Sequence, residues 1–308
     1  MMGAMFAVFS SMFFTGKVIV AKLAYARGID PLGMVLLRMV FASPFFIVML
    51  LVEYRRGARA SIKDILLSVF LGMLSYYLAS ILDFTGIQYI STALERMILQ
   101  LSPSFVVLIG FLFLGQKLER RLLTAIGIGY LGIALMVYSE MGESVAEGHV
   151  AQSWIGVLCI VGATLSFSIY VLGADRVMHR MGSKLFTSCA MSGACFAVFV
   201  HYLLVRGPVA PTHDGVVYSL GLAMGIFCTV LPSFMVNRAI QLIGGQRIGP
   251  FNYLGMGLTF VASSFVLSEV FSVMKLAGIL LAACGALSLT MGRIKPAAKV
   301  SELEPEKA

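Results

Sequence analysis

Shifted by 153 positions, the chain falls onto itself. Phe14 then meets Phe167, Gly72 meets Gly225, Ile87-Gln88 meets Ile240-Gln241, Leu114 meets Leu267, Ile126 meets Ile279 and Gly132 meets Gly285. Apolar segments and the loops between them stay in register without a gap. Each copy holds five apolar runs of about 20 residues, the length that crosses a bilayer's hydrocarbon core. Five crossings are odd, so the second copy must enter the membrane from the side opposite the first.

The predicted spans lie near 3–24, 31–52, 65–84, 91–113, 121–139, 153–174, 184–205, 216–236, 247–267 and 274–292. The chain is 59% hydrophobic and 12% charged, about half the charge of a soluble domain. The runs are too long and too continuously apolar for barrel strands, so the predicted fold is an all-α membrane protein of ten transmembrane helices. The organisation expected is a first repeat at 1–139, an outer linker loop at 140–152, a second repeat at 153–292 and a disordered tail at 293–308. The first run carries no basic leader and no small-residue cleavage site, so it is expected to stay in the protein.

A net charge of +8 raises the question of nucleic acid, and its distribution answers otherwise. With the N-terminus inside, only Arg27, Arg206 and Lys275 of the loop and flank cations fall outside. The rest, including Arg55, Arg56, Arg59, Lys63, Arg176, Arg180 and Lys184, fall inside. This asymmetry predicts both termini in the cytoplasm. The partners expected are the lipid bilayer and a small-molecule solute, with no nucleic acid.

Ionisable residues within a span are costly and mark function or pairing. Lys17 and Arg38 each lie about seven residues from the outer end of a span, roughly 10 Å deep. Glu95 and Arg96 lie in the outer part of the fourth span, and Asp83 at the outer end of the third. Their counterparts at +153 are Tyr170, Met191, Ile248, Gly249 and Val236, all uncharged, so the repeat itself does not require the charges. Lys17, Arg38 and Arg96 are expected to form an electropositive site for an anionic or zwitterionic solute. The competing reading is that Lys17 reaches for the interface while Glu95 and Arg96 pair for packing. The carboxylates are expected near span ends, within reach of water, and form no evident proton relay.

Tyr76, Tyr77, Gln100, Ser102, Ser166, Tyr170, Asn252 and Tyr253 are polar positions nearer mid-membrane and a candidate cavity lining. Hydrogen bonding between helices would explain each singly. Pro103 in the fourth span, and Gly249, Pro250 and Gly255 in the matching ninth, are candidate helix breaks. Paired interruptions in the two halves point to a binding site. All five cysteines lie in spans without CxxC spacing, which reads as packing and not as metal or redox chemistry. The sequence contains no GxxxxGK[ST], GxSxG or HExxH, and no GxGD at Asp83 or Asp175. Direct ATP drive, an intramembrane enzyme, a cofactor and a metal are therefore not expected. A sensor or scaffold would need a surface outside the membrane, and only the short tail offers one.

Residues 83–137 carry the most specific pattern: a span entered through Ala93-Leu94-Glu95-Arg96, a mid-span Pro103, the ending Leu114-Gly115-Gln116 and a glycine-patterned fifth span. The second half repeats it, with Leu267-Ser268-Glu269 followed by Lys275-Leu276-Ala277-Gly278. This resembles the EamA repeat of the drug/metabolite transporter superfamily over nearly the whole chain. Gln116 stands where an acidic residue is usual, and Met256 where the second repeat's proline is usual. The resemblance implies two inverted five-helix repeats with cytoplasmic termini. It also implies export of small metabolites, amino acids or drugs from the bacterial inner membrane. The two repeats are expected to rock in alternating access, and without an ATP-binding motif the drive would be an ion gradient or the solute's own gradient.

Overall fold

The computed structural model describes residues 2–114, 120–212, 214–235, 261–267 and 273–291. Its helices are α1 (Met2–Tyr25), α2 (Pro31–Arg55), α3 (Ile62–Gly86), α4 (Thr92–Leu99), α5 (Ser102–Leu114), α6 (Arg120–Glu147), α7 (Val150–Met181), α8 (Ser183–Arg206), α9 (Gly215–Met235) and α10 (Val273–Met291), with a further helical piece at 261–267. Among the described residues, seven segments are long and apolar enough to cross a membrane: Val8–Tyr25, Pro31–Arg55, Ile62–Gly86, Thr92–Phe113, Val150–Met181, Ser183–Arg206 and Gly215–Met235. The ninth expected span lies mostly outside the described residues, and the tail wholly so.

Local chemistry sets the helix ends. Asp30 caps α2 by accepting from the Gly33 amide, and Pro31, whose missing N–H costs nothing at a first position, follows it. Ser61 caps α3 and Asp214 caps α9; these two caps are 153 residues apart. Gly182, at φ +84°, is the whole joint between α7 and α8, a backbone conformation other residues rarely hold.

The repeat is written into the helices themselves. α3 begins at Ile62 and α9 at Gly215, 153 apart. Most telling, α3 widens into a π-helix over Met73–Leu78 and α9 does so over Ile226–Val230, again with matching starts. Packing follows the same relation: α3 lies on α8 as α9 lies on α2, while α2 packs on α8 and α6 on α10. Gly72 and Gly225, one residue before each π stretch, allow these approaches. A Cβ on Gly72 would sit 2.2 Å from the Ala190 carbonyl, and one on Gly225 would sit 2.9 Å from Phe41 and 3.1 Å from the Arg38 carbonyl.

Counterpart helices run in opposite directions. At one end of the bundle, the Asp30 end, Arg27 reaches Asp214 and Arg206 reaches Asp30, both at 3.0 Å. At the other, the Asp64 end, Arg180 reaches Asp64 at 2.6 Å. α3 therefore leaves the Asp64 end and α9 leaves the Asp30 end. Each of these pairs joins a residue of the first half to one of the second, and Arg27 and Arg180 are themselves counterparts.

Two sequence readings change. The segment 140–152 is not a loop through most of its length: α6 runs to Glu147 and α7 starts at Val150, with Gly148 at φ +75° making the turn. Glu140 and Ser144 face the interior, where Ser144 and Ser153 bond at 2.6 Å, and this polar seam joins the ends of the two helices. The fourth span is interrupted at Gln100-Leu101, between α4 and α5, so Pro103 sits in the first turn of α5 and not mid-helix. Proline is tolerated there because first-turn amides lack helical partners anyway. Gly249, Pro250 and Gly255 lie outside the described residues.

Candidate functional site

Five charged side chains from four helices meet beneath the Asp30 end. α1 supplies Lys17, α2 Arg38, α3 Asp83, and α4 Glu95 and Arg96. Lys17 Nζ donates to Asp83 Oδ2 and lies 3.8 Å from Glu95 Oε1. Arg38 Nη2 donates to Ser80 Oγ at 2.7 Å, and its guanidinium lies 5.2 Å from the centre of the Phe84 ring. Lys17 Nζ is 6.0 Å from the centre of the same ring, so one aromatic ring neighbours two cations. Tyr25 fixes that segment by donating to the Phe84 carbonyl at 2.8 Å.

The cluster is buried. Glu95 is 0% exposed, Asp83 4%, and Arg38 and Arg96 8% each. The expected picture of water-accessible carboxylates is thereby corrected: depth counted along a single span misses the helices that close over it. The expected electropositive site is also modified, because Lys17 and Arg96 each contact a carboxylate. Arg96 Nε lies 2.6 Å from Glu95 Oε2, yet neither atom makes an aligned hydrogen bond. Consecutive helical residues do not face each other, so charge contact is reached without good geometry. Arg38 Nε, Arg96 Nη2 and Asp83 Oδ1 are likewise buried without a hydrogen-bond partner. Several polar atoms are left in want of partners at one place, which is uncommon in a finished core.

Among the other sequence candidates, Tyr76 and Tyr170 bond to each other, while Tyr77, Ser102 and Ser166 bond to groups outside the set. Tyr76 and Tyr77 lie on the π stretch of α3. Tyr76 pairs with Tyr170 of α7 at 3.2 Å between hydroxyls, and Tyr77 pairs with His201 Nδ1 of α8 at 3.2 Å. Ser166 donates to the Leu74 carbonyl, and Ser102 and Ser168 bond across α5 and α7. Gln100 caps α4 where the fourth span breaks. Asn252 and Tyr253 lie outside the described residues. Two partners escaped the sequence reading, Ser80 and Phe84. The signal was present: Tyr76, Ser80, Asp83 and Phe84 follow i, i+4, i+7, i+8 spacing and share one face of α3.

A polar recess of about 780 Å³ opens at the Asp30 end, with Lys22, Gln88, Ser91, Glu140, His149 and Lys275 among its walls. Glu140 accepts from both the amide and the hydroxyl of Ser91, and Lys275 Nζ is 2.5 Å from Glu143 and 3.9 Å from Glu140. Glu140 lies just past the span expected at 121–139. Burial raises its carboxyl pKa despite the Ser91 bonds. At the same end of the bundle, the Val216 amide first and Arg27 second hold Asp214 below the usual carboxylate range. Among the described residues no group of His, Cys, Asp and Glu could hold a metal ion.

The sequence profile of the EamA-like transporter family matches residues 1–138 and 154–291. The chain belongs to the EamA-like transporter family. It is a multi-pass membrane transporter of the drug/metabolite type. It is similar to the uncharacterized transporter YcbK of Bacillus subtilis (strain 168), with 25% identity over 284 residues, 90% of this chain and 88% of that one. It is also similar to the WAT1-related protein At1g25270 of Arabidopsis thaliana, with 23% identity over 250 residues, 74% of this chain and 69% of that one. A solved crystal structure of a protein superposes with TM-score 0.62 at 14% identity, covering 94% of this chain and 96% of that one, and shares the fold.

Proposed function

We propose that this transporter carries a small anionic or zwitterionic organic solute outward across the bacterial inner membrane, by rocking of two inverted five-helix repeats. Ten spans with both ends of the chain in the cytoplasm put the Asp30 end outside. The solute falls within the metabolites, amino acids and drugs that the family resemblance implies. Lys17, Arg38, Glu95 and Arg96 would engage its charged groups. Tyr76, Tyr77, Gln100, Tyr170, Asn252 and Tyr253 would line its path. The break before Pro103, with Gly249, Pro250 and Gly255, would let the fourth and ninth spans flex.

One observation carries this reading. A buried charge cluster with unsatisfied polar atoms lies in a bundle whose halves are bridged by Arg27–Asp214 and Arg206–Asp30 at one end and by Arg180–Asp64 at the other. Alternating access needs that layout, because each end must open in turn by parting one half from the other. The test begins with cells lacking the gene and the metabolites they accumulate. The solute found is then loaded into proteoliposomes with the wild type, Lys17→Met or Arg38→Met. Loss of efflux in both variants supports the site, and full efflux in both removes it. Imposing a pH gradient in the same vesicles separates proton-coupled from facilitated movement.

A further inference from the structure

A second cavity, of about 560 Å³, lies in the half of the bundle nearer the Asp64 end, starting at Pro44, six residues along α2 from Arg38. Its floor is α2, where Pro44, Phe45, Val48, Val52 and Arg56 fall on one helical face. Phe234 of α9 and Lys184 of α8 complete it. The walls are apolar and open sideways: Phe45 is 45% exposed, Val48 58% and Phe234 48%. At its Asp64 end the groove meets charge. Arg56 is the C-cap of α2, and Lys184 lies in the first turn of α8. Glu53, 3.6 Å from Arg56, offsets one of the two cations and leaves the mouth net positive.

Length and charge together select an occupant. From Pro44 to Arg56 is twelve residues of helix, about 18 Å. One leaflet of the hydrocarbon core is about 15 Å thick. The groove therefore runs from mid-membrane to one interface, with its cations at headgroup level. We propose that it is a binding site for an anionic phospholipid, one acyl chain lying along Phe45, Val48, Val52 and Phe234 and the phosphate held by Arg56 and Lys184. Basic clefts between helices at the cation-rich face suit such headgroups. A free phosphate would use the cations and leave the apolar channel without purpose, so the lipid accounts for both halves of the site. The lipid would touch α2 of the first repeat and α8 and α9 of the second, and so link the two halves. The site depends on the transporter reading only in that these helices stand in a bilayer.

The experiment is native mass spectrometry of the purified full-length protein from detergent, given equal phosphatidylglycerol and phosphatidylcholine. The expected result is preferential retention of phosphatidylglycerol. The preference should fall on the order of tenfold in the Arg56→Gln, Lys184→Gln double variant. These are surface cations, and an unchanged thermal midpoint checks that the variant is folded. Val48→Trp, which fills the groove, should reduce retention of both lipids. Equal retention of the two lipids by the wild type would overturn the assignment, as would a preference that survives the double variant. Displacement of the bound lipid by inorganic phosphate would point to a free anion and would also overturn it. No transport is measured, so the result stands apart from the fate of the transport proposal.

Discussion

Removing one amine should cost this protein a large part of its stability. Lys17 is the hydrogen-bonded partner of Asp83 and the nearest ammonium to Glu95, and both carboxylates are almost wholly shielded from solvent. Lys17→Met keeps the bulk of the side chain and deletes the charge. Arg96 still neighbours Glu95, but Asp83 loses its donor. Breaking one side of a buried ion pair costs about 3–5 kcal/mol, because the remaining charge stays desolvated. Replacing both sides by uncharged groups is often neutral. Lys17→Met with Asp83→Asn should therefore recover most of what Lys17→Met loses. The assay is the unfolding free energy of wild type, both single variants and the double, in one lipid environment. A Lys17→Met cost within the ~0–1 kcal/mol of a surface pair would refute the reasoning, as would a double variant no firmer than the single. The same double variant separates roles: if it folds well but moves no solute, the charges serve transport and not packing.

Three other perturbations follow from the geometry. Gly72→Ala forces a Cβ onto the Ala190 carbonyl and should cost about 1–3 kcal/mol, more than Gly225→Ala, whose nearest obstacle is a side-chain atom; denaturant unfolding of both variants compares them. Bridging Arg27→Cys to Asp214→Cys with a short bis-maleimide should arrest transport, while the reagent leaves either single variant active; continued flux in the bridged protein would show that the Asp30 end need not part there. Burial raises the Glu140 pKa, so the native state holds that proton more tightly than the unfolded chain does, and stability should decline as pH climbs from the ordinary carboxylate range through the raised value. Glu140→Gln should erase that decline in thermal unfolding across pH, with the variant gaining on the wild type toward neutrality.

The bundle was legible because its information is one-dimensional. A run of twenty apolar residues reports a crossing whatever surrounds it, and α3 and α9 start 153 residues apart, the offset read from the sequence. Which charges would face one another was not legible. Asp83 looked like a span-end carboxylate because the third span was drawn to residue 84, whereas α3 continues to Gly86 and the following turn packs under α6 and α7. Glu140 looked like loop because a polar stretch after an apolar run usually is; here its serines and carboxylate bond inward and keep the helix going. The sequence named Pro103 as a break candidate, whereas the interruption falls before it, at Gln100-Leu101. The π stretches were not legible, since nothing in Met73–Leu78 or Ile226–Val230 departs from ordinary helix composition.

The two widened turns also carry a date. A π turn arises when one residue is added to a helix, and here it stands at the same address in both halves. The addition is then older than the gene fusion that doubled the chain, and a living ancestor-like protein with a single copy should bear it at the corresponding place. A single-copy homologue with an unbroken α-helix there would reverse the order of events.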